Sequence, residues 1–193
     1  MKKSYFTRKE QIIISTIELI DELGINNLSI HEIAGKENIT EGALYRHFKS
    51  KEEIIIETLK YYAHFDTNIL NTITQNNLDS KAAIIFLLSS LSEYYENYPE
   101  ITAVYCSFES LIYEGNIGEE VLSIIKSRAD FLISQIEKGK QSKEFKDDID
   151  SEALANIISG SFRHLVFKWR IEKHIFSLKI KTLEMINIIL DKC

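Results

Sequence analysis

Among 193 residues there is a single proline, Pro99, and only seven glycines, so the chain is poor in the residues that break helices or build tight β-turns. An all-α fold is the expectation. The hydrophobic content of 45% and charged content of 27% fit an ordinary soluble globular protein with a sizeable core. Cys106 and Cys193 lie far apart, one in an apolar run and one at the end of the chain, which is neither a disulfide framework nor a metal-ligand spacing. A reducing cytoplasm is the natural setting. The basic start "MKKSYFTRKE" leads into an amphipathic segment, and no later run reaches the ~18 uncharged apolar residues of a membrane span.

Charge is unevenly spread. Residues 1–51 hold eight of the 23 Lys/Arg and seven of the 29 Asp/Glu, a net of +1; the rest of the chain carries 15 against 22, a net of -7. The first quarter is electrostatically a different object. If its acids face away, Lys2, Lys3, Arg8, Lys9, Arg46, Lys49 and Lys51 can face a polyanion.

Local signals in that quarter define helices. Thr7-Arg8-Lys9-Glu10 has capping-box spacing, and Ile12, Ile13, Ile17, Leu19, Ile20 and Leu23 follow at three- and four-residue steps until Gly24 supplies a stop. Ser29-Ile30-His31-Glu32 repeats the box and opens a short helix with Ile30, Ile33 and Ala34 inward. Asn38 sits at a turn, where its tolerance of the left-handed conformation is useful. Thr40 caps a third helix, expected over 41–48 with Leu44 and Phe48 inward, and Ser50 caps a fourth.

Two-turn helices are not stable alone. Two of them joined by a tight turn and packed on a longer helix make a helix-turn-helix, whose second short helix enters the major groove. Ile33, Ala34, Ile39, Leu44 and Phe48 would form its core, leaving Thr40, Glu41, Gly42, Ala43, Tyr45, Arg46 and His47 outside. Gly42 costs about 1 kcal/mol relative to alanine in a helix interior, and its missing side chain would let the helix approach a phosphate backbone closely.

The stretch "LSIHEIAGKENITEGALYRHFKSKEEI" resembles the N-terminal signature of the TetR family of transcriptional regulators. Ile33, Ala34, Gly42, Leu44, Tyr45, His47, Phe48, Ser50, Lys51 and Glu52 match its pattern outright, with Ile39, Thr40 and Ile54 as close replacements. The resemblance covers about the first 55 residues. It implies DNA contacts at Thr40, Gly42, Ala43, Tyr45, Arg46 and His47, a phosphate contact at Lys51, and a DNA contact at Ser29 at the start of the preceding helix. Asn38, Glu37, Ala43 and Glu41 depart from the usual pattern, and bear on operator sequence and affinity.

Past residue 50 the chain reads as helices of a larger apolar domain: 80–97, one from Pro99 to Glu114, 119–140, one capped by Ser151 through Trp169, and 177–190. The expected division is a DNA-binding domain over 1–50 and a helical effector-binding and dimerisation domain over 51–193. Aromatic residues at helical spacing normally fill cores. Some can line an apolar cavity, and Tyr62, Phe65, Phe86, Tyr105, Phe108 and Trp169 are the candidates. The resemblance adds a small hydrophobic effector and a homodimer built on the last two helices, hence a near-palindromic double-stranded DNA operator.

No Glu-x-x-His, glycine-rich phosphate loop or Gly-x-Ser-x-Gly elbow occurs, so neither catalysis, a metal nor a cofactor is expected. The reading is a repressor released by a small ligand; the alternative is a helical small-molecule-binding or scaffolding protein that does not touch DNA. The overall acidity and Glu41 favour the alternative, and the gapless helix-turn-helix match opposes it.

Overall fold

The structure, a computed structural model, describes residues 6–193, so Lys2 and Lys3 lie outside the described residues. Every regular element in it is helical: α1 Arg8–Leu23, a 3-10 turn Ile25–Asn27, α2 Ile30–Lys36, α3 Glu41–Leu44, α4 Lys51–Gln75, α5 Ser80–Asn97, α6 Ile101–Cys106, α7 Phe108–Leu111, α8 Gly115–Gln141, α9 Ser151–Ile171 and α10 Leu178–Leu190. The chain divides into two compact units, Met1–His64 with Tyr98–Ser123, and Phe65–Asn97 with Ile124–Cys193. Both α4 and α8 contribute to each.

In the first unit Thr7, Ser29, Thr40 and Ser50 each accept the amide expected of a cap, but the second capping box forms only in half, since the Glu32 carboxylate makes no bond back to the Ser29 amide. The Thr7 hydroxyl accepts the Glu10 amide and the Glu10 carboxylate accepts the Thr7 amide, closing the box that starts α1. Gly24 ends that helix at φ +79°, a conformation glycine adopts without a Cβ penalty. Buried Ile12, Ile17, Ile33, Leu44, Phe48, Ile54 and Leu59 join α1 to α4 through one small core. Removing side chains of this kind from water contributes about 1.5–3 kcal/mol each, which is what holds two otherwise unstable short helices in place. Leu23 is instead 38% exposed, because the stop at Gly24 leaves it at the helix end. On the other side of α1 packs α6, and Val104, Phe108 and Leu111 are buried with it.

Past residue 98, three boundaries differ from those expected. The helix from Pro99 breaks at Ser107, whose amide is shared between the Ala103 and Val104 carbonyls (3.0 and 3.1 Å) while its hydroxyl donates to Ala103 (2.7 Å). The next helix starts at Gly115, not 119, and includes Gly118, where a Cβ would lie 2.3 Å from the Ile112 carbonyl oxygen. Asp150 rather than Ser151 caps α9, accepting the Ala153 amide at 2.9 Å, and the Ser151 hydroxyl turns to the Glu137 carboxylate.

The second unit packs α10 against both α5 and α9. Leu87, Leu88, Leu91, Tyr95, Ile158, Phe162, Val166 and Ile186 fill it. Its polar groups are matched in place: buried Ser92 donates to the Leu88 carbonyl (2.7 Å) and lies 2.9 Å from the Thr182 hydroxyl. Arg128 grips Asp66 through two bonds of 2.7 and 2.9 Å. Glu144 reaches from the loop after α8 to accept the Ser80 and Lys81 amides, capping α5.

Candidate functional site

The helix-turn-helix geometry is set by three residues between α2 and α3. Glu37 ends α2, Asn38 takes φ +52° as the turn requires, and the Ile39 amide returns to the Ala34 carbonyl at 3.0 Å. The Thr40 hydroxyl then accepts the Ala43 amide at 3.1 Å, starting α3. Regular α-helix ends at Leu44, earlier than the expected Phe48, because the His47 amide bonds to Leu44 three residues back (2.9 Å) and the last residues tighten into a turn. Leu44 and Phe48 remain buried.

This places Thr40, Gly42, Tyr45 and Arg46 on one exposed surface, with Ala43 and His47 half-buried beside them. Tyr45 is 49% exposed, an unusual position for an aromatic that has only a core to fill. Apart from its chain neighbours and its own helix backbone, no atom of the described residues lies within 4 Å of where a Gly42 Cβ would sit, so no packing partner explains the missing side chain. Lys51, half-buried, opens α4 one residue after Ser50, whose hydroxyl accepts the Glu53 amide (3.1 Å). Ser29 caps α2 through the Glu32 amide at 3.1 Å.

Two cations of this quarter are turned elsewhere. Arg8, expected to face DNA, pairs with the Glu37 carboxylate at 2.7 Å and donates to the Glu37 carbonyl at 3.2 Å, while Ser15 donates to the same carboxylate. The Glu37 side chain is 1% exposed, and a buried carboxylate without such partners would be strongly destabilising. Lys36 reaches back to Glu22 (2.6 Å) and Glu18 (3.1 Å) on α1. Its partial burial opposes the charge, but the two carboxylates outweigh that and hold its pKa above the ordinary lysine value. Sequence reasoning missed the Arg8–Glu37–Ser15 lock; its visible signal was an acid at 37 where a small residue is usual. The basic face therefore rests on exposed Arg46 and Lys49 and half-buried Lys51, with Lys9 placed 5.1 Å over the Phe48 ring.

The six candidate effector residues fall into different groups. Tyr62, Tyr105 and Phe108 form one cluster in the first unit, with Phe108 edge-on to both tyrosines at centroid distances of 5.6 and 5.5 Å. Phe65 belongs to the second unit and stacks on Tyr94 at 4.0 Å, at a recess of about 300 Å³ shared with Ser90, Glu93 and Asn97. Phe86 is half-buried on α5. Trp169 is buried and donates its indole N–H to the Phe176 carbonyl at 2.9 Å.

The outer faces of α9 and α10 are a third surface. Ile157, Phe167, Ile171, Ile180 and Ile188 are 52% to 67% exposed there, Ile175 in the connection between the two helices is 77% exposed, and Gly160 on the same side of α9 has open space where its Cβ would be. Among the described residues no group of three His, Cys, Asp or Glu side chains is placed to hold a metal, and no helix is long and apolar enough to cross a membrane.

A helix-turn-helix with an exposed recognition segment, followed by a helical domain, defines a class: the helix-turn-helix regulators of transcription. Residues 12–58 match the family model for bacterial regulatory proteins of the tetR family. That match shows a helix-turn-helix of the tetR type over residues 12–58. It is 36% identical over 69 residues to the uncharacterized HTH-type transcriptional regulator YerO of Bacillus subtilis (strain 168), a match spanning 36% of this chain and 24% of that protein. It is 24% identical over 164 residues to the fatty acid metabolism regulator protein of the same organism, covering 82% and 81% of the two chains. Its fold is similar to that of the transcriptional regulator FadR from Bacillus subtilis, solved in complex with stearoyl-CoA, with a TM-score of 0.80 and 19% identity over 95% of this chain and 98% of that one.

Proposed function

We propose that this protein is a homodimeric, DNA-binding repressor that a small hydrophobic effector releases from its operator. DNA binding is assigned to residues 1–50 and effector binding and dimerisation to 51–193. The observation that carries the reading is the surface of Thr40, Gly42, Tyr45, Arg46 and Lys51: a capped, turn-anchored helix whose outer face is polar and basic, with a glycine that leaves room for a close neighbour. Arg46 and Lys51 supply phosphate or base contacts, Tyr45 a phenolic donor, and Gly42 the close approach.

Dimerisation rests on the apolar outer faces of α9 and α10. Five large apolar side chains on these faces, exposed to water, are costly for a monomer, and a two-fold pairing would cover both copies with the same patch. Two recognition segments related in that way read half-sites about 34–36 Å apart, so the operator is near-palindromic.

For the effector, the relative FadR with stearoyl-CoA supports an apolar chain as the chemistry to try first. The Tyr62, Tyr105 and Phe108 cluster lies in the same unit as the helix-turn-helix, and α6, which carries Tyr105, packs on α1. A ligand that displaced this cluster would press on α1 through α6. A 100-fold loss of DNA affinity requires about 2.7 kcal/mol of coupling, and DNA must weaken the ligand by the same factor. The test titrates acyl-CoA thioesters of increasing chain length against the fluorescence of Trp169, the one tryptophan, with and without operator duplex. The expected result is a ligand constant about 100-fold weaker on DNA. Equal constants in the two titrations would remove release by effector from the proposal.

A further inference from the structure

We propose that Glu41 is a specificity-determining residue that selects cytosine at one position of each operator half-site by accepting from the cytosine N4 amino group. The inference rests on the operator-binding reading above and adds to it the base that is read.

The residues of α3 are Glu41, Gly42, Ala43 and Leu44, and Leu44 is buried. Glu41 is thus the one residue of the helix proper with a hydrogen-bonding side chain. The Thr40 hydroxyl just before it accepts the Ala43 amide and keeps its own proton to donate. If the first turn of a recognition helix meets the base edges, the charged acceptor at that point is the Glu41 carboxylate.

That carboxylate lies beside a histidine of the preceding helix. Its Oε1 lies 3.4 Å from Nδ1 of His31 on α2, with the Glu41 side chain 52% and the His31 side chain 84% exposed. The contact engages one oxygen and leaves Oε2 to accept from another partner. Both residues lie on exposed positions, so neither contributes to the core of the first unit.

The charge decides which base suits it. A carboxylate brought near phosphates is repelled, and it weakens binding to every duplex unless a donor meets it in the groove. Cytosine presents N4–H₂ there; guanine shows two acceptors, thymine an acceptor and a methyl, and adenine a donor beside the N7 acceptor. The acid therefore favours C and disfavours G and T, and a charge that opposes non-specific binding becomes a source of discrimination.

Selection from a random duplex library, carried out with the full-length protein and with its Glu41→Ala and Glu41→Gln variants, tests this. Helical content by circular dichroism checks that each variant is folded, as expected for an exposed site. The wild type should enrich C at one position in each half-site by roughly tenfold. Glu41→Ala should lose that preference, keep the others, and bind random duplex more tightly. Glu41→Gln should move the preference to A, which offers glutamine a donor and acceptor pair. Identical enriched sequences for the wild type and Glu41→Ala would overturn the role of Glu41 while leaving operator binding intact. A wild type that enriches no sequence would overturn operator binding itself, and this inference with it.

Discussion

The helix-turn-helix and the α9–α10 pair both bury one face, and they differ in what lies on the other. Around α3 the inward residues are Ile33, Leu44 and Phe48, and the outward ones are Thr40, Gly42, Tyr45 and Arg46. On α9 and α10 the inward residues Ile158, Phe162, Val166 and Ile186 are matched outside by Ile157, Phe167, Ile171, Ile180 and Ile188. One outer face is suited to a charged, hydrated partner and the other to an apolar copy of itself. Gly42 and Gly160 make the comparison sharper: both are helical, both have open space at the Cβ position, and each sits on the face its region leaves uncovered.

The apolar face gives the largest expected effect. Phe167→Glu with Ile171→Glu puts charge on exposed positions, so each protomer should fold with unchanged helicity while sedimentation shows a monomer. Operator affinity should then drop by roughly 10²–10⁴-fold, since two linked half-site contacts become one. A stable dimer from this variant would place the partner surface elsewhere.

The polar face comes next. Lys51→Ala should weaken binding to all duplexes and lower the slope of log affinity against log salt by about one unit, as one phosphate contact is lost. Adding Tyr45→Ala and Arg46→Ala should abolish the shift of an operator duplex in a gel titration without changing the melting temperature. Retained affinity would break the comparison, because the polar face would then have no nucleic-acid role.

Gly42→Ala separates stability from function. The new methyl meets nothing inside the protein, and alanine should stabilise the helix by about 1 kcal/mol in a urea titration. Operator affinity should fall in the same variant, because the helix can no longer approach as closely. A variant that gains stability and keeps its affinity would assign Gly42 no part in DNA contact.

The smallest effect is a pH dependence confined to the second unit. Burial raises the Glu144 pKa, but the Lys81 amide, the Ser142 hydroxyl and the Ser80 amide outweigh it, and the net direction is below 4.5. A carboxylate with a depressed folded-state pKa adds stability above its unfolded value, and that stability is lost as pH falls through the folded one. Stability of the wild type should therefore decline below about pH 4.5, and Glu144→Gln should start lower and decline less. Parallel profiles for the two proteins would show that the cap on α5 does not depend on the charge.

The sequence by itself determined the local geometry of the first quarter. Thr7, Gly24, Ser29, Asn38, Thr40 and Ser50 act on their own backbone within a few residues, so their caps and turns could be read from spacing and side-chain type alone. Periodicity likewise gave the helix at 80–97, the last helix to within one residue of its start at Leu178, and the burial of Leu44 and Phe48. Only the tertiary structure decided what depends on contacts distant in the chain. It turned Arg8 onto Glu37, 29 residues away, and so removed a cation from the basic face. It divided the six candidate aromatics between two units, and drew the segment Tyr98–Ser123 in with the helix-turn-helix. It left one face of α9 and α10 in water, although the pattern of isoleucines there matches that of a buried helix. Local backbone bonding depends on neighbours in sequence, whereas the partner of a charge, a ring or an apolar face is set by which segments the whole fold brings together.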